Sequence, residues 1–298
     1  MTMETEQLAH RFEEHRDRLR AVAYRMLGSP TEAEDAVQEA WLRLGRVEAG
    51  EIRNLGGWLT TVVGRVCLDL LRTRTARREQ PMDETFVPDP VIRPLSGIDP
   101  EQEVLEADSV GLALLIVLET LEPAERLAFV LHDLFAVPFD DIAPIVERSS
   151  AATRQLASRA RRRVQGATPS ADPDLGRQRQ VLDAFLAASR GGDFEALVAL
   201  LHPDVVLRVD SGALVRGAAA SKVVHGAKTV AEQALTFRQF ADQAWLALVN
   251  GTVGMVTAPG GRPLSVMAVT VADGRITEMY ILADPERLDR LDVPAQEN

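Results

Sequence analysis

The spacing of apolar residues changes period once along this chain, and that change dictates its architecture. Up to about residue 166 the apolar positions recur three and four apart, as in EDAVQEAWLRL and GGWLTTVVGRVCLDLLRTR, with no strand-like alternation. GATPSADPDLG then interrupts the pattern with proline, glycine, serine and aspartate. Beyond it, RQRQVLDAFLAASRGGDFEALVALL carries two helical patterns around a Gly-Gly turn. AWLALVNGTVGMVTA and LSVMAVTVADGRITEMYIL are β-rich runs divided by Asn-Gly and Asp-Gly, dipeptides that form two-residue hairpins because both residues tolerate positive φ. The expected fold class is multidomain, with all-α blocks followed by a C-terminal α+β domain.

Length agrees with this, since 298 residues exceed one ordinary core. The first helical block covers residues 7–78 and the second 109–166. Between them, residues 79–108 contain five prolines and little periodicity, the composition of a linker. The C-terminal domain is expected over 176–290. No apolar run approaches the roughly 18 residues of a membrane helix, and the acidic, polar start MTMETEQLAHRFEEHRDRL is unlike a secretory signal, so a cytoplasmic protein is expected. The single cysteine, Cys67, excludes an internal disulfide framework and lies in VVGRVCLDLL, where a small buried apolar residue is expected.

A net charge of −11 argues against indiscriminate coating of nucleic acid, which depends on neutralising phosphates. Charge is nevertheless segregated: five arginines and no acid lie between Ser149 and Arg163, and four arginines and no acid between Arg72 and Arg78. LEPAERLAFVLHDLFAVPFDDIAPIVERSSAATRQLASRARRRV reads as a helix, a short helix, a tight turn and a last helix capped by Ser149, the layout of a helix-turn-helix module. Ala152, Leu156, Ala160 and Val164 would face its core, leaving Ser150, Arg154, Ser158, Arg161 and Arg162 outside. Ser150, Thr153 and Arg154, near the start of that helix, are the candidates for base contacts, and the later arginines for phosphates. An Arg-rich helix end also does no more than complement its own dipole in many proteins. Glu147 stands where such turns often have glycine, and Pro144 should remove a hydrogen bond and kink the short helix.

In TEAEDAVQEAWLRL, Ala33, Val37, Ala40, Trp41 and Leu44 form one apolar face, while Asp35, Gln38, Glu39 and Leu42 share another. Periodicity alone reads the second face as ordinary solvated surface. AEDAVQEAWLRL, WLTTVVGRVCLDLLR and the arginine-rich helix-turn-helix block, in that order, resemble domains two and four of an extracytoplasmic-function (ECF) RNA polymerase sigma factor. The resemblance implies that Asp35, Gln38 and Glu39, with Leu42 beside them, dock on the β′ coiled coil of core RNA polymerase, whose β subunit is a further partner. It also implies that promoter DNA is met at the minus-10 element by the loop Arg53 to Gly57, including Asn54, and by Arg65, Asp69 and Arg72. Gly64 and Arg65 stand where the family often has arginine and asparagine. The minus-35 element falls to the last helix of the second block. Loop 46–57 has no aromatic side chain, so an extruded base would be held by polar and backbone groups with Trp58 as a neighbour.

RGGDFEALVALLHPDVVLRVDSG and the strands after it resemble the SnoaL-like fold, a curved sheet wrapped around helices as a cone. In sigma factors that carry it, the resemblance implies a built-in regulator contacting the linker and the sigma domains. FVPDPV (Phe86 to Val91), VNG (Val249 to Gly251) and ADPERL (Ala283 to Leu288) approximate short motifs of that group, whereas VDSGA departs from its glycine-rich segment. The same fold houses cyclases and isomerases with an Asp or His base. His202, Asp210, His225, Tyr280 and Asp284 are the available acid–base groups here, in no diagnostic spacing. No catalytic residue, cofactor or metal is expected. Two other readings stay open: a dimeric helix-turn-helix regulator acting without polymerase, and a SnoaL-type enzyme fused to a DNA-binding module.

Overall fold

A computed structural model describes residues 3–47, 52–77, 85–95, 111–167, 171–212, 215 and 217–296. The chain divides into two compact units, Met1–Pro81 with Val117–Ala167, and Met82–Ile116 with Thr168–Asn298. Among the described residues no helix is long and apolar enough to cross a membrane.

The first unit is helical. Helices α1 (Met3–Leu27), α2 (Pro30–Leu44) and α3 (Leu55–Arg77) pack on one another. Gly28, at φ +69, ends α1, its N–H bonding to Tyr24 O at 2.8 Å, because only glycine enters the left-handed region without a Cβ clash. Leu19, Val22, Ala23, Met26 and Leu27 of α1 meet Ala33, Ala36, Val37, Ala40 and Leu44 of α2, all at most 1% exposed. Cys67 is fully buried in α3, and desolvation pushes its thiol up to about 12.

After α4 (Leu112–Glu119), within which the division into units falls, come α5 (Pro123–Phe129), a π-helical turn (Val130–Leu134), α6 (Phe139–Val146) and α7 (Ser150–Ala167). Buried Arg126 ties these helices to α1, donating to Met26 O at 2.8 Å and pairing with Glu119 at 2.7 Å. Helix α3 packs on α5 and α6 at Gly64, where an added Cβ would lie 3.5 Å from Leu127 and 3.6 Å from Ile145. The helix α6 is continuous through Pro144; the N–H that proline lacks would have bonded to the Asp140 carbonyl in the first turn, and Pro144 is exposed.

The second unit holds a seven-stranded sheet in the order β1-β4-β5-β6-β7-β2-β3, formed by β1 (Ile92–Arg93), β2 (Leu201–Asp210), β3 (Lys222–His225), β4 (Ala244–Val249), β5 (Thr252–Thr257), β6 (Ser265–Ala272) and β7 (Arg275–Leu282). Among the described residues only β2 and β7 pair in parallel. Helices α8 (Leu175–Gly191), α9 (Phe194–Leu200) and α10 (Ala227–Thr236) contribute Leu182, Phe185, Leu197, Val230 and Ala231 to one core with Leu207, Met255, Met267 and Met279 of the sheet. The turns Asn250-Gly251 and Asp273-Gly274 have all four φ values positive, as the hairpin dipeptides require. A last short helix, α11 (Pro285–Leu288), is capped by the Asp284 carboxylate.

The linker departs from its expected irregularity. Residues 92–93 form β1, paired antiparallel with β4 at the sheet edge (Ile92 with Val249, Arg93 with Leu248), so this stretch belongs to the second unit. Pro88 and Pro90 precede the paired residues and Pro94 follows them, so Ile92 and Arg93 keep their own N–H groups.

Candidate functional site

On α2, burial of Ala33, Ala36, Val37, Ala40 and Leu44 turns the opposite face outward. Asp35 and Gln38 are exposed, Leu42 is 50% exposed, and Glu39 is half-buried and accepts from Arg43 Nε at 2.8 Å. Leu42 is one of four large apolar side chains so exposed among the described residues. An apolar side chain ringed by an amide and acids on a helix anchored by its other face is the composition of a protein-docking surface.

The promoter candidates on α3 lie three and four apart, and Arg65, Asp69 and Arg72 are all exposed on one face. Arg53 is exposed in the loop before it. Asn54, also exposed, has a structural duty as well: its Oδ1 accepts from Gly57 N at 3.0 Å, capping α3.

Two expectations for α7 are corrected. The face it buries is Thr153, Ala157 and Ala160, each at 0% exposure, with Leu156 and Val164 only half-buried and Ala152 at the margin. Thr153 is therefore in the module's core, its hydroxyl donating to Ser149 O at 3.0 Å, and cannot reach a base edge. Not all of the arginines are free for phosphate either. Arg161 pairs with Asp133 at 2.5 Å, and Arg159 and Arg163 both grip buried Glu125, at 2.7 and 2.8 Å. Arg154, Ser158 and Arg162 are exposed, Arg154 lying 5.3 Å over the Phe139 ring, while half-buried Ser150 donates to Asp140 Oδ1 at 2.5 Å. Glu147 itself takes the left-handed turn, at φ 56 and ψ 45, with Arg148 N bonding to Ala143 O at 3.1 Å. The turn geometry is thus made without glycine, at the strain a non-glycine residue pays there.

Within the same unit a cleft of about 640 Å³ separates the start of α3 from the helix-turn-helix. Asn54, Gly57 and Trp58 line one side, and Pro138, Asp140 and Asp141 the other. The loop and first turn of α3 thus look onto carboxylates, which repel phosphate.

In the second unit three short motifs, VDSGA, VNG and ADPERL, converge on FVPDPV in the linker. Asp210 of VDSGA, 7% exposed, accepts from Val87 N at 3.0 Å and from Arg287 Nη1 at 2.6 Å. Arg287 of ADPERL reaches Asp89 at 2.5 Å, donates to Val87 O and lies 5.0 Å over the Phe86 ring. Asn250 of VNG closes a two-way bridge with Val91, its N–H donating to Val91 O at 2.8 Å and its Oδ1 accepting from Val91 N at 2.9 Å. Val87 is wholly buried. Together these contacts form a clasp on residues 86–93. Sequence reasoning placed Asp210 among acid–base groups and assigned no contact to Asp89, Asn250 or Arg287. The available signal was that three motifs far apart in sequence each carried a charged side chain or an amide.

Three of the remaining acid–base candidates are held in structural roles. Asp284 caps α11, His202 Nδ1 accepts from Asp204 N at 3.2 Å, and Tyr280 donates to Glu278 at 2.6 Å. Burial, then the Glu278 carboxylate, pushes the Tyr280 hydroxyl well above its ordinary range. His225 is exposed at the end of β3. Among the described residues no group of three or more His, Cys, Asp or Glu is placed to hold a metal ion.

Comparison with known proteins agrees with this geometry in each segment. Sigma-70 region 2 matches residues 11–77, Sigma-70 region 4 matches 112–164, and the SnoaL-like domain matches 182–279. The chain is 41% identical over 292 residues to the ECF RNA polymerase sigma factor SigJ of Mycobacterium tuberculosis, covering 93% of this chain and 91% of that one. It is 37% identical over 280 residues to the probable ECF RNA polymerase sigma factor SigI of the same species, covering 93% of each. The crystal structure of the Mycobacterium tuberculosis SigJ protein superposes with a TM-score of 0.76 at 37% identity, covering 96% of this chain and all of that one. The chain belongs to the ECF RNA polymerase sigma factors, in the form that carries a C-terminal SnoaL-like domain.

Proposed function

We propose that this sigma factor directs promoter-specific initiation in the cytoplasm and that its C-terminal domain sets its activity by holding the linker. Asp35, Gln38, Glu39 and Leu42 of α2 dock on the β′ coiled coil, because they combine exposure, an apolar centre and a rigid base. Arg53, Arg65, Asp69 and Arg72 meet the minus-10 region, and Ser150, Arg154, Ser158 and Arg162 the minus-35 region. Arg161 joins them once it exchanges Asp133 for a phosphate, a swap between like hydrogen bonds. The domain acts as a regulator and not as an enzyme, a reading supported by Asp284 serving as a helix cap and Asp210 as a clasp member.

The observation that carries the regulatory reading is the clasp, in which Asp210, Asn250 and Arg287 bind the backbone and Asp89 of the segment joining α3 to α4. Pinning this segment restricts how far the two promoter-reading blocks separate, so releasing it favours the polymerase-ready arrangement. In vitro transcription with purified core polymerase tests this with full-length protein. Arg287→Ala raises initiation while leaving core affinity unchanged, and Asp35→Ala weakens core binding. Unaltered initiation by a folded Arg287→Ala protein refutes the regulatory role. Unaltered core binding by Asp35→Ala refutes the docking assignment.

A further inference from the structure

The C-terminal sheet and its helices enclose a cavity of about 420 Å³, inside the roughly 300–1,000 Å³ typical of small-molecule sites. Phe185, Leu207, Met255, Met267 and Met279 give it an apolar wall. Phe237 and Leu264 also line it and are 37% and 38% exposed, so apolar surface continues from the interior to the mouth. Folding normally hides such surface, and its retention around a cavity marks a place where another apolar body fits.

Two polar observations say what kind. Ser189 and Ser211 line the cavity at 6% and 2% exposure, and neither hydroxyl has a hydrogen-bond partner among the described residues. A buried hydroxyl without a partner is costly, and two facing one cavity call for a ligand that supplies oxygens. The charges lining the cavity have one sign: Lys222 and Arg238 are there, and no Asp, Glu or His is among the described lining residues. Lys222 donates to Gln233 Oε1 at 2.5 Å and lies 5.8 Å from the Phe237 ring centre. Burial lowers its pKa, and a carboxylate brought alongside would favour its charged form.

We propose that this cavity binds a small amphipathic carboxylate, a medium-chain acid whose chain lies on the methionine-rich wall while Lys222, Ser189 and Ser211 supply hydrogen-bond donors. Methionine suits such a wall because its flexible thioether adapts to chains of different shape. Occupancy also bears on the clasp. Ser211 follows Asp210 directly, and the lining residues Ala283 and Pro285 flank the segment that carries Arg287. That coupling rests on the proposed regulatory reading, whereas binding itself does not.

Isothermal titration of the full-length protein with decanoate, and with decanol as its uncharged counterpart, tests the site. Decanoate is expected to bind saturably and decanol about tenfold more weakly, the size of one charge-assisted hydrogen bond. Lys222→Met should abolish that preference, and Ala234→Trp, which fills the cavity, should abolish binding. Lack of saturable decanoate binding to folded protein overturns the proposal, as does equal affinity for acid and alcohol or a preference that survives Lys222→Met. The wild-type comparison and the half-buried Lys222 position keep the test decisive even where the tryptophan variant fails to fold. Hydrogen exchange at the Val87 amide during the same titration separates the two claims. Increased or decreased protection supports coupling to the clasp, and unchanged protection with intact binding overturns the coupling alone.

Discussion

Replacing Arg287 by alanine removes the centre of the clasp, and the structure fixes what is lost. The guanidinium pairs with Asp89 and Asp210, donates to Val87 O and covers Phe86. Side-chain exposures of 18% for Arg287, 20% for Asp89 and 10% for Asp210 place these pairs in a largely dry setting. Breaking a buried pair by deleting one partner costs about 3–5 kcal/mol. Here the stranded Asp210 keeps Val87 N and Gly212 N, and Asp89 can turn to water, so about 2–3 kcal/mol is the better figure. At 1.4 kcal/mol per factor of ten, the released linker becomes roughly 30- to 150-fold more populated. Amide hydrogen exchange reads this directly, because Val87 N–H and Val91 N–H donate to Asp210 and Asn250 and are shielded only while the clasp is closed. Their protection should fall by that factor, with β4–β5 unchanged. Arg262→Ala is the control, since its pair with Asp289 is 74% and 52% exposed and should contribute almost nothing. Protection at Val87 and Val91 within about twofold of wild type in folded Arg287→Ala protein would show that the contacts are incidental to linker binding.

Gln38→Ala and Leu42→Ala should each weaken core polymerase binding by about 1–2 kcal/mol without changing the melting temperature, measured by fluorescence anisotropy. Arg154→Ala should cost about 1–3 kcal/mol of promoter discrimination. Thr153→Ala should instead lower stability by about 1 kcal/mol and leave discrimination intact, as a buried hydroxyl bonded to Ser149 O dictates. Gly64→Leu should overpack against Leu127 and Ile145 at about 1–3 kcal/mol, while Gly64→Ala, with its Cβ at ordinary contact distance, should be tolerated in thermal melts. The Cys67 thiol holds its proton to about 12 when folded and loses it near its ordinary 9.0 when unfolded. Stability is therefore unaffected below pH 9.0 and declines as pH rises from there toward 12. The unfolding free energy from urea titration should fall by about 1 kcal/mol more by about pH 10 in wild type than in Cys67→Ala.

The period change at residues 166–176 made the division between helical and mixed segments legible, because burial on one face of a helix or sheet has to be written in the spacing of apolar residues. The hairpin turns were legible for the same local reason, as Asn250-Gly251 and Asp273-Gly274 need positive φ. The exposed face of α2 followed once Ala33, Val37 and Ala40 were taken as buried. The inner face of α7 did not, because threonine and alanine are compatible with either side of a helix; a strict four-residue spacing selected Ala152 and Leu156, where the 3.6-residue period brings Thr153, Ala157 and Ala160 inward. The clasp was invisible for a different reason. Its members are some 120 to 200 residues apart in sequence, and only the pairing of β1 with β4 and of β2 with β7 brings Phe86–Arg93, Asp210, Asn250 and Arg287 together. Composition marked that segment as a linker, and proline content says nothing about whether a sheet edge will capture it.

The spacing of a promoter then sets a requirement that the first unit does not meet as it stands. Elements at minus 10 and minus 35 are about 25 base pairs apart, roughly 85 Å at 3.4 Å per base pair. A compact unit of roughly 130 residues has a radius of gyration near 14 Å, so surfaces fixed within it cannot span that distance. Engaging both elements means parting α3 from α5 and α6 at Gly64, which uncovers Leu127 and Ile145, at 0% and 3% exposure. That exposure has an energetic cost, and polymerase and DNA contacts must outweigh it. Separation also requires chain: the roughly 30 residues from 79 to 108 reach about 100 Å when fully extended, of which the roughly 22 residues on either side of 86–93 supply about 75 Å. On the proposed reading, closing the clasp holds residues 86–93 on the sheet edge and ties the C-terminal domain to the tether, so the domain would act on initiation through that tether and not through either proposed promoter-reading surface.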